Sequence, residues 1–252
     1  MTWCDKLGST PAVGFGLLPH FSAGAELLTA LGPVLDKLPS GDRNRFVVEL
    51  VDHHSTQFIT DEGFRYGVDP RRISVAFNHR VQATPVSASL PKLDILSSHE
   101  PYSKLVNTCG NKVIDATICI DDIKARYFNR AGIVSTTVVS LEESPPGIAR
   151  FINYVSRPWG IISDGFSIQV TGLLSDKEKY TDRCVHSIQR TDDDQKLVTI
   201  TLDWYRTFHD PQRATKTNLT SAFNAVRDGA LEYFEELGEG ARFDDEILST
   251  SH

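Results

Sequence analysis

The string FVVELVDHHST runs an apolar stretch into Asp52, His53 and His54. An aspartate followed by two histidines at a strand end offers the donor types of a divalent-metal centre or a proton relay. The same three residues also suit an ordinary polar turn after a strand, and a metal centre needs further carboxylates converging from elsewhere. For zinc, Cys184 and His186 form the only near cysteine–histidine pair, two residues apart on a segment that reads as a strand, where same-face neighbours usually just pack. Asp192, Asp193 and Asp194 lie together in TDDDQ. At a turn, three like charges serve solvation unless more oxygen ligands join them. No metal and no cofactor is assigned from these groups.

The tripeptide Asp52-His53-His54 resembles the DHH motif of the DHH phosphoesterase superfamily. That resemblance implies residues at a strand end that help hold divalent metal for phosphoester hydrolysis. It covers this stretch alone. The aspartate-rich motif that the superfamily places after an earlier strand has no counterpart, since the aspartates of residues 1 to 45 are Asp5, Asp36 and Asp42, without D-x-D spacing.

Other chemistries lack their signatures. Gly14 and Gly16 in VGFGLLP precede Pro19 and no GK[ST], so they read as turn glycines and not as a phosphate loop. There is no G-x-S-x-G elbow. Four thiols and eight histidines are too permissive a set to single out a cysteine nucleophile. His209-Asp210-Pro211 reads as a solvated loop before the last helix. Arg65, Arg71, Arg72 and Arg80, with Arg126 and Arg130 further on, give the first half its positive charge. If the surrounding strands form a meander, several share one face and could contact an acidic partner or a phosphate group; the alternative is dispersal over separate turns.

The elements that must position these groups follow from periodicity. Ser22 to Leu38 reads as a helix, with Leu27, Leu31 and Leu35 at i+4 and Gly32-Pro33 as its weak point. RFVVELV, TQFIT, FRYGV and RISVAF are short β-rich runs parted by turn formers, an antiparallel meander. Thr84 to Leu96 reads as an extended connection, Glu100 to Cys109 as a short helix, and the stretch after Asp115 as a further helix. AGIVSTTVVS is a strand, Pro146 opens a helix through Tyr154, and GFSIQVTGLL is another strand. CVHSIQ and KLVTITLDWY flank TDDDQ as a hairpin. Thr217 or Asn218 then caps a helix whose stripe is Leu219, Phe223, Val226, Ala230, Phe234 and Leu237.

Glu232, Glu235 and Glu236 crowd the C-terminal end of that helix, where the macrodipole disfavours negative charge. They are the candidate partner-binding residues, with exposed and tolerated charge as the alternative.

With 252 residues, 40% of them hydrophobic, the chain can bury a full core. It is expected to fold as a single domain over residues 1–252, with possible sub-halves 1–128 and 129–252. A net charge of −7 argues against nucleic acid as a partner. The sequence carries no export or membrane signal, so the expected place is the cytoplasm, with Cys4, Cys109, Cys119 and Cys184 as free thiols.

NRAGIVSTTVV, with Arg130, Gly132 and Ile133, precedes a variable helix; a hairpin then ends in Leu202, Asp203 and Trp204, and the last helix contains Phe223. In this order of elements residues 129–240 resemble a sporadically distributed family of uncharacterised bacterial proteins of about 250 residues. The resemblance implies no catalytic residues; it suggests accessory components of mobile or defence-type gene clusters.

The expected fold is therefore α+β, with antiparallel sheets covered on one face by helices and doubly wound α/β as the alternative. The expected function is a non-enzymatic interaction or accessory subunit with a protein partner. Its alternatives are a metal-dependent phosphoesterase or nuclease using Asp52, His53 and His54, and a small-ligand sensor with a cleft between two similar halves.

Overall fold

Period-two alternation of apolar and polar residues dominates the chain between its helices, and it produces strands whose two faces differ in kind. The computed structural model describes residues 2–21, 32–33, 36, 46–51, 55–60, 62–79, 81–84, 92–95, 100–120, 126–156, 166–190 and 197–240. Its strands are β1 (Thr10–Leu18), β2 (Phe46–Val51), β3 (Thr56–Thr60), β4 (Phe64–Asp69), β5 (Arg72–Phe77), β6 (Val81–Thr84), β7 (Lys92–Ile95), β8 (Tyr127–Ser140), β9 (Phe166–Asp176), β10 (Tyr180–Arg190) and β11 (Leu197–Arg213). The helices are α1 (Trp3–Lys6), α2 (Tyr102–Ile118), α3 (Pro146–Ser156) and α4 (Lys216–Glu239).

Nine strands form one sheet in the order β2-β3-β4-β5-β1-β8-β11-β10-β9, and β6 pairs with β7 separately. Every pairing is antiparallel. The fold is α+β with an antiparallel sheet, and doubly wound α/β is excluded. The order of elements recurs along the chain. A strand (β1, then β8) is followed by a run of strands whose last member returns to pair with it (β5, then β11), and a long helix follows (α2, then α4). The two runs meet at the β1–β8 ladder, where Gly14 faces Gly132.

One face of the sheet is the core. Val13, Phe15 and Leu17 of β1 are buried on it, beside Ile73, Val75 and Phe77 of β5 and Ile133 of β8. Helix α2 lies against β1 and β5, α4 against β8 and β11, and the two helices touch each other. The stripe Leu219, Phe223, Val226, Ala230, Phe234 and Leu237 is buried throughout, each large side chain contributing about 1.5 to 3 kcal/mol by leaving water. Phe223 seats on Gly110 of α2, where an added Cβ would lie 2.1 Å from the ring.

Several boundaries differ from the sequence reading. The helix expected over Glu100 to Cys109 and the one expected after Asp115 are a single helix, α2, which ends at Ile118. β-branched Val113, Ile114 and Thr117 are tolerated there because they are buried against the sheet, so packing overrides propensity. The connection Thr84 to Leu96 contains β7, paired with β6. The polar residues before the last helix continue β11, through an irregularity between Thr207 and Gln212. Helix α4 starts earlier than expected: Thr215 is the cap, its Oγ1 accepting from Asn218 N at 3.3 Å. Most of the helix expected over Ser22 to Leu38, and the TDDDQ turn, lie outside the described residues.

Candidate functional site

The face of the sheet opposite the helices is built from small and charged residues, and the register arranges them in rows. In the first, Asp69, Arg72, Gly16, Arg130 and Thr207 are successive cross-strand partners over β4, β5, β1, β8 and β11. In the second, Gln57, Gly67, Ser74, Gly14, Gly132 and Tyr205 are partners from β3 to β11. In the third, Arg65, Ala76, Ala12, Val134 and Asp203 run from β4 to β11. Apart from Thr207 and Tyr205, the members of these rows line a cavity of about 570 Å³, together with His20, Arg71 and Asn129. That volume falls within the range of small-ligand sites.

Small residues keep the floor low, and the Arg72 stem lies across it, with Cδ 3.5 Å from where a Cβ of Gly14 would stand. An added Cβ at Gly14 would lie 3.0 Å from the Ile73 carbonyl oxygen and 3.2 Å from Ser74 Cβ. At Gly16 it would lie 3.2 Å from Arg130 Cβ, so glycine lets the Arg130 stem lie close beside β1.

The cations are held at the end of the floor. Asp69 organises the β4–β5 turn, with Oδ1 accepting from Arg71 N at 2.9 Å and Oδ2 from Arg72 Nε at 3.2 Å. Arg130 lies 3.6 Å over the Tyr205 ring, and its Nη2 is 3.5 Å from Asp203 Oδ2. Burial pushes the Asp203 carboxyl above the usual aspartate range, and the Arg130 and Arg72 charges oppose that rise. Among the described residues, four arginines and two aspartates line the cavity.

Of the arginines singled out in the sequence, Arg65, Arg71, Arg72 and Arg130 meet in this cavity. Arg126 does not: it is buried, donating from Nη1 to Pro19 O at 2.7 Å and stacking over Phe21. Arg80 lies outside the described residues, as do Asp52, His53 and His54 and the aspartates of the TDDDQ turn. Cys184 and His186 share the buried face of β10, with the His186 ring hydrogen-bonded to Tyr233 of α4. Among the described residues, no group of three His, Cys, Asp or Glu is placed to hold a metal ion. His209 sits on β11, its ring contacting Thr181 and the Glu178 carbonyl. At the end of α4 Glu232 is exposed, Glu236 is half-buried, and Glu235 Oε2 accepts from Trp3 N at 2.8 Å. Glu235 thus fastens α1 to α4 instead of pointing outward.

Gly14 and Gly16 are the residues that reading by motif misplaced: they lie inside β1, not in a turn. Their signal was the alternation itself. Val13, Phe15 and Leu17 occupy one face, so the glycines at 14 and 16 had to occupy the other.

No protein-family profile and no curated protein matches the chain. Among solved structures it aligns with the crystal structure of the di-domain ARO/CYC StfQ from the steffimycin biosynthetic pathway, at 7% identity and a TM-score of 0.18, over 92% of this chain and 99% of that one. A likeness so slight carries no argument about fold or function. Among the described residues no helix is long and apolar enough to cross a membrane.

Proposed function

We propose that this protein is a binding component, not an enzyme, and that the open face of its sheet receives the anionic group of a ligand. The observation that carries the reading is the row Arg72-Gly16-Arg130, two arginines on the strands that flank a residue with no side chain. A guanidinium has five N–H donors in a planar fork matched to carboxylate and phosphate. The Asp69 and Asp203 contacts hold the two arginines in place through single hydrogen bonds. An anion lying over Gly16 would then meet both cations. A sensor or accessory subunit that recognises a charged small molecule would use such a site, and the cavity straddles the ladder at which the two runs of elements meet.

The test is titration calorimetry at low salt with inorganic phosphate as the probe. Binding is expected, and the Arg72→Ala/Arg130→Ala double variant should weaken it at least about tenfold, since a hydrogen bond to a charged group contributes about 1.5 to 3 kcal/mol. If phosphate, sulfate and citrate all fail to bind the folded protein, or the double variant binds phosphate unchanged, the reading is wrong.

A further inference from the structure

We infer that the protein forms a two-fold symmetric dimer in which β9 pairs antiparallel with β9 of a second copy, centred on Gln169, so that the nine-stranded sheet continues from one copy into the other.

The two edges of the sheet are built differently. An edge strand presents unpaired N–H and C=O groups to any strand that can match them, and proteins blunt such edges with short strands, bulges and charges. β2 combines these devices: it is six residues long, and Glu49 is the extra residue where its register shifts between Val48 and Leu50. β9 is eleven residues long, and from Phe166 to Ser175 it carries no charged residue and no proline. No described strand lies beyond it. Among the described residues four large hydrophobic side chains are exposed, and two of them, Val170 at 41% and Leu173 at 60%, belong to β9.

Charge and symmetry select a second copy as the occupant. When a strand pairs antiparallel with its own copy, residues equidistant from the axis meet, and a charge at the axis meets itself. Self-pairing therefore calls for a neutral strand, whereas a foreign peptide could as well be matched through opposite charges. Asp176, the one charged residue of β9, stands at its far end.

The register follows from the two faces of the strand. β9 pairs with β10 without interruption from Phe166 to Leu173, and the register then shifts, leaving Leu174 without a partner. Ile168 and Val170 stand beside the buried Ile188 and His186, on the helix-covered side, while Ser167, Gln169 and Thr171 are on the open side. With Gln169 opposite Gln169, Val170 of each copy is covered by Ile168 of the other, and Ser167 meets Thr171. Centring on Val170 would instead set Ser167 against Leu173. Seven paired residues give about six to eight main-chain hydrogen bonds. The axis stands perpendicular to the sheet, so the open faces of both copies, with their cavities, look the same way.

Sedimentation equilibrium of the full chain across the micromolar range is the test. The parent's mass is expected to rise with concentration to twice that of one chain. Gln169→Lys and Gln169→Glu each place like charges opposite one another at the axis and should weaken association at least about tenfold. An equimolar mixture of the two variants should restore it, since lysine then faces glutamate. The Gln169 side chain is exposed, so both variants are expected to keep the parent's urea midpoint, and either one alone suffices should the other fail to fold. A parent that stays monomeric, including one that pairs β9 with a foreign extended peptide instead, overturns the proposal. So does a folded variant that dimerises as the parent does, or a mixture of folded variants that stays monomeric.

Discussion

Two arginines of β11 and β8 make nearly the same contacts on opposite faces of the sheet. Arg206 lies 3.6 Å over the Tyr180 ring and faces Asp182; Arg130 lies 3.6 Å over the Tyr205 ring and faces Asp203. On the helix-covered face the pair is bidentate, at 2.7 and 2.9 Å, with the Arg206 side chain 14% exposed, Asp182 9%, and Ser175 donating to the same carboxylate. On the open face the pair is a single contact of 3.5 Å between side chains 46% and 29% exposed. Arg206 is held by two short hydrogen bonds to one carboxylate. Arg130 is oriented by its tyrosine and restrained by one long bond, the condition of a cation that can exchange its partner for a ligand. The type of residue and its neighbours are alike; what differs is how much of the hydrogen-bonding capacity the fold already consumes.

Breaking the pair on each face should expose that difference. Asp182→Ala strands a nearly buried guanidinium, and the expected loss of stability is about 3 to 5 kcal/mol, read as a lower midpoint in urea unfolding. Arg130→Ala breaks an exposed pair, worth about 0 to 1 kcal/mol, and should spare the midpoint while weakening phosphate binding. Equal losses for the two variants would mean that the open-face pair is structural too. Between these extremes lies a packing test confined to the covered face. Gly110→Ala drives a methyl into the Phe223 ring, which sits 2.1 Å from the added atom. Overpacking of this kind costs about 1 to 3 kcal/mol. Ser74→Ala, on the open face, should cost little by the same measurement.

How much of this was legible beforehand depends on the range of the signal. The α4 stripe from Leu219 to Leu237 repeats at helical spacing, and the alternation in β8 and β11 is local, so each element could be read from its own residues. The row Arg72-Gly16-Arg130 could not. Its members lie far apart in the chain, on strands β5, β1 and β8, and only the register of two non-adjacent pairings sets them side by side. Arg206 and Asp182 were invisible for the same reason. Motif reading also gave glycines the meaning they have in loops, and so Gly14 and Gly16 were assigned to a turn although Val13, Phe15 and Leu17 already marked a strand. The contact of Glu235 with the Trp3 amide was hidden as well, because helix-dipole reasoning considers one helix at a time and Trp3 comes from the other end of the chain.

The finest distinction between the faces concerns Asp203. Burial raises its pKa, and the neighbouring Arg130 and Arg72 reduce the rise without cancelling it. A carboxyl that titrates higher in the folded chain than in the unfolded one binds its proton more tightly when folded. Its contribution to stability is therefore most favourable at low pH, and is lost as pH rises from the unfolded value near 3.9 through the raised folded one. Asp203→Asn carries no such dependence. The variant's midpoint relative to the parent should thus improve from pH 4 to pH 7, a small change because the site is partly solvated, and phosphate should bind the variant more tightly at pH 7 because the competing carboxylate is gone. A midpoint difference that is flat with pH would show that Asp203 titrates as it does in the unfolded chain, and unchanged phosphate affinity would remove it from the anion site.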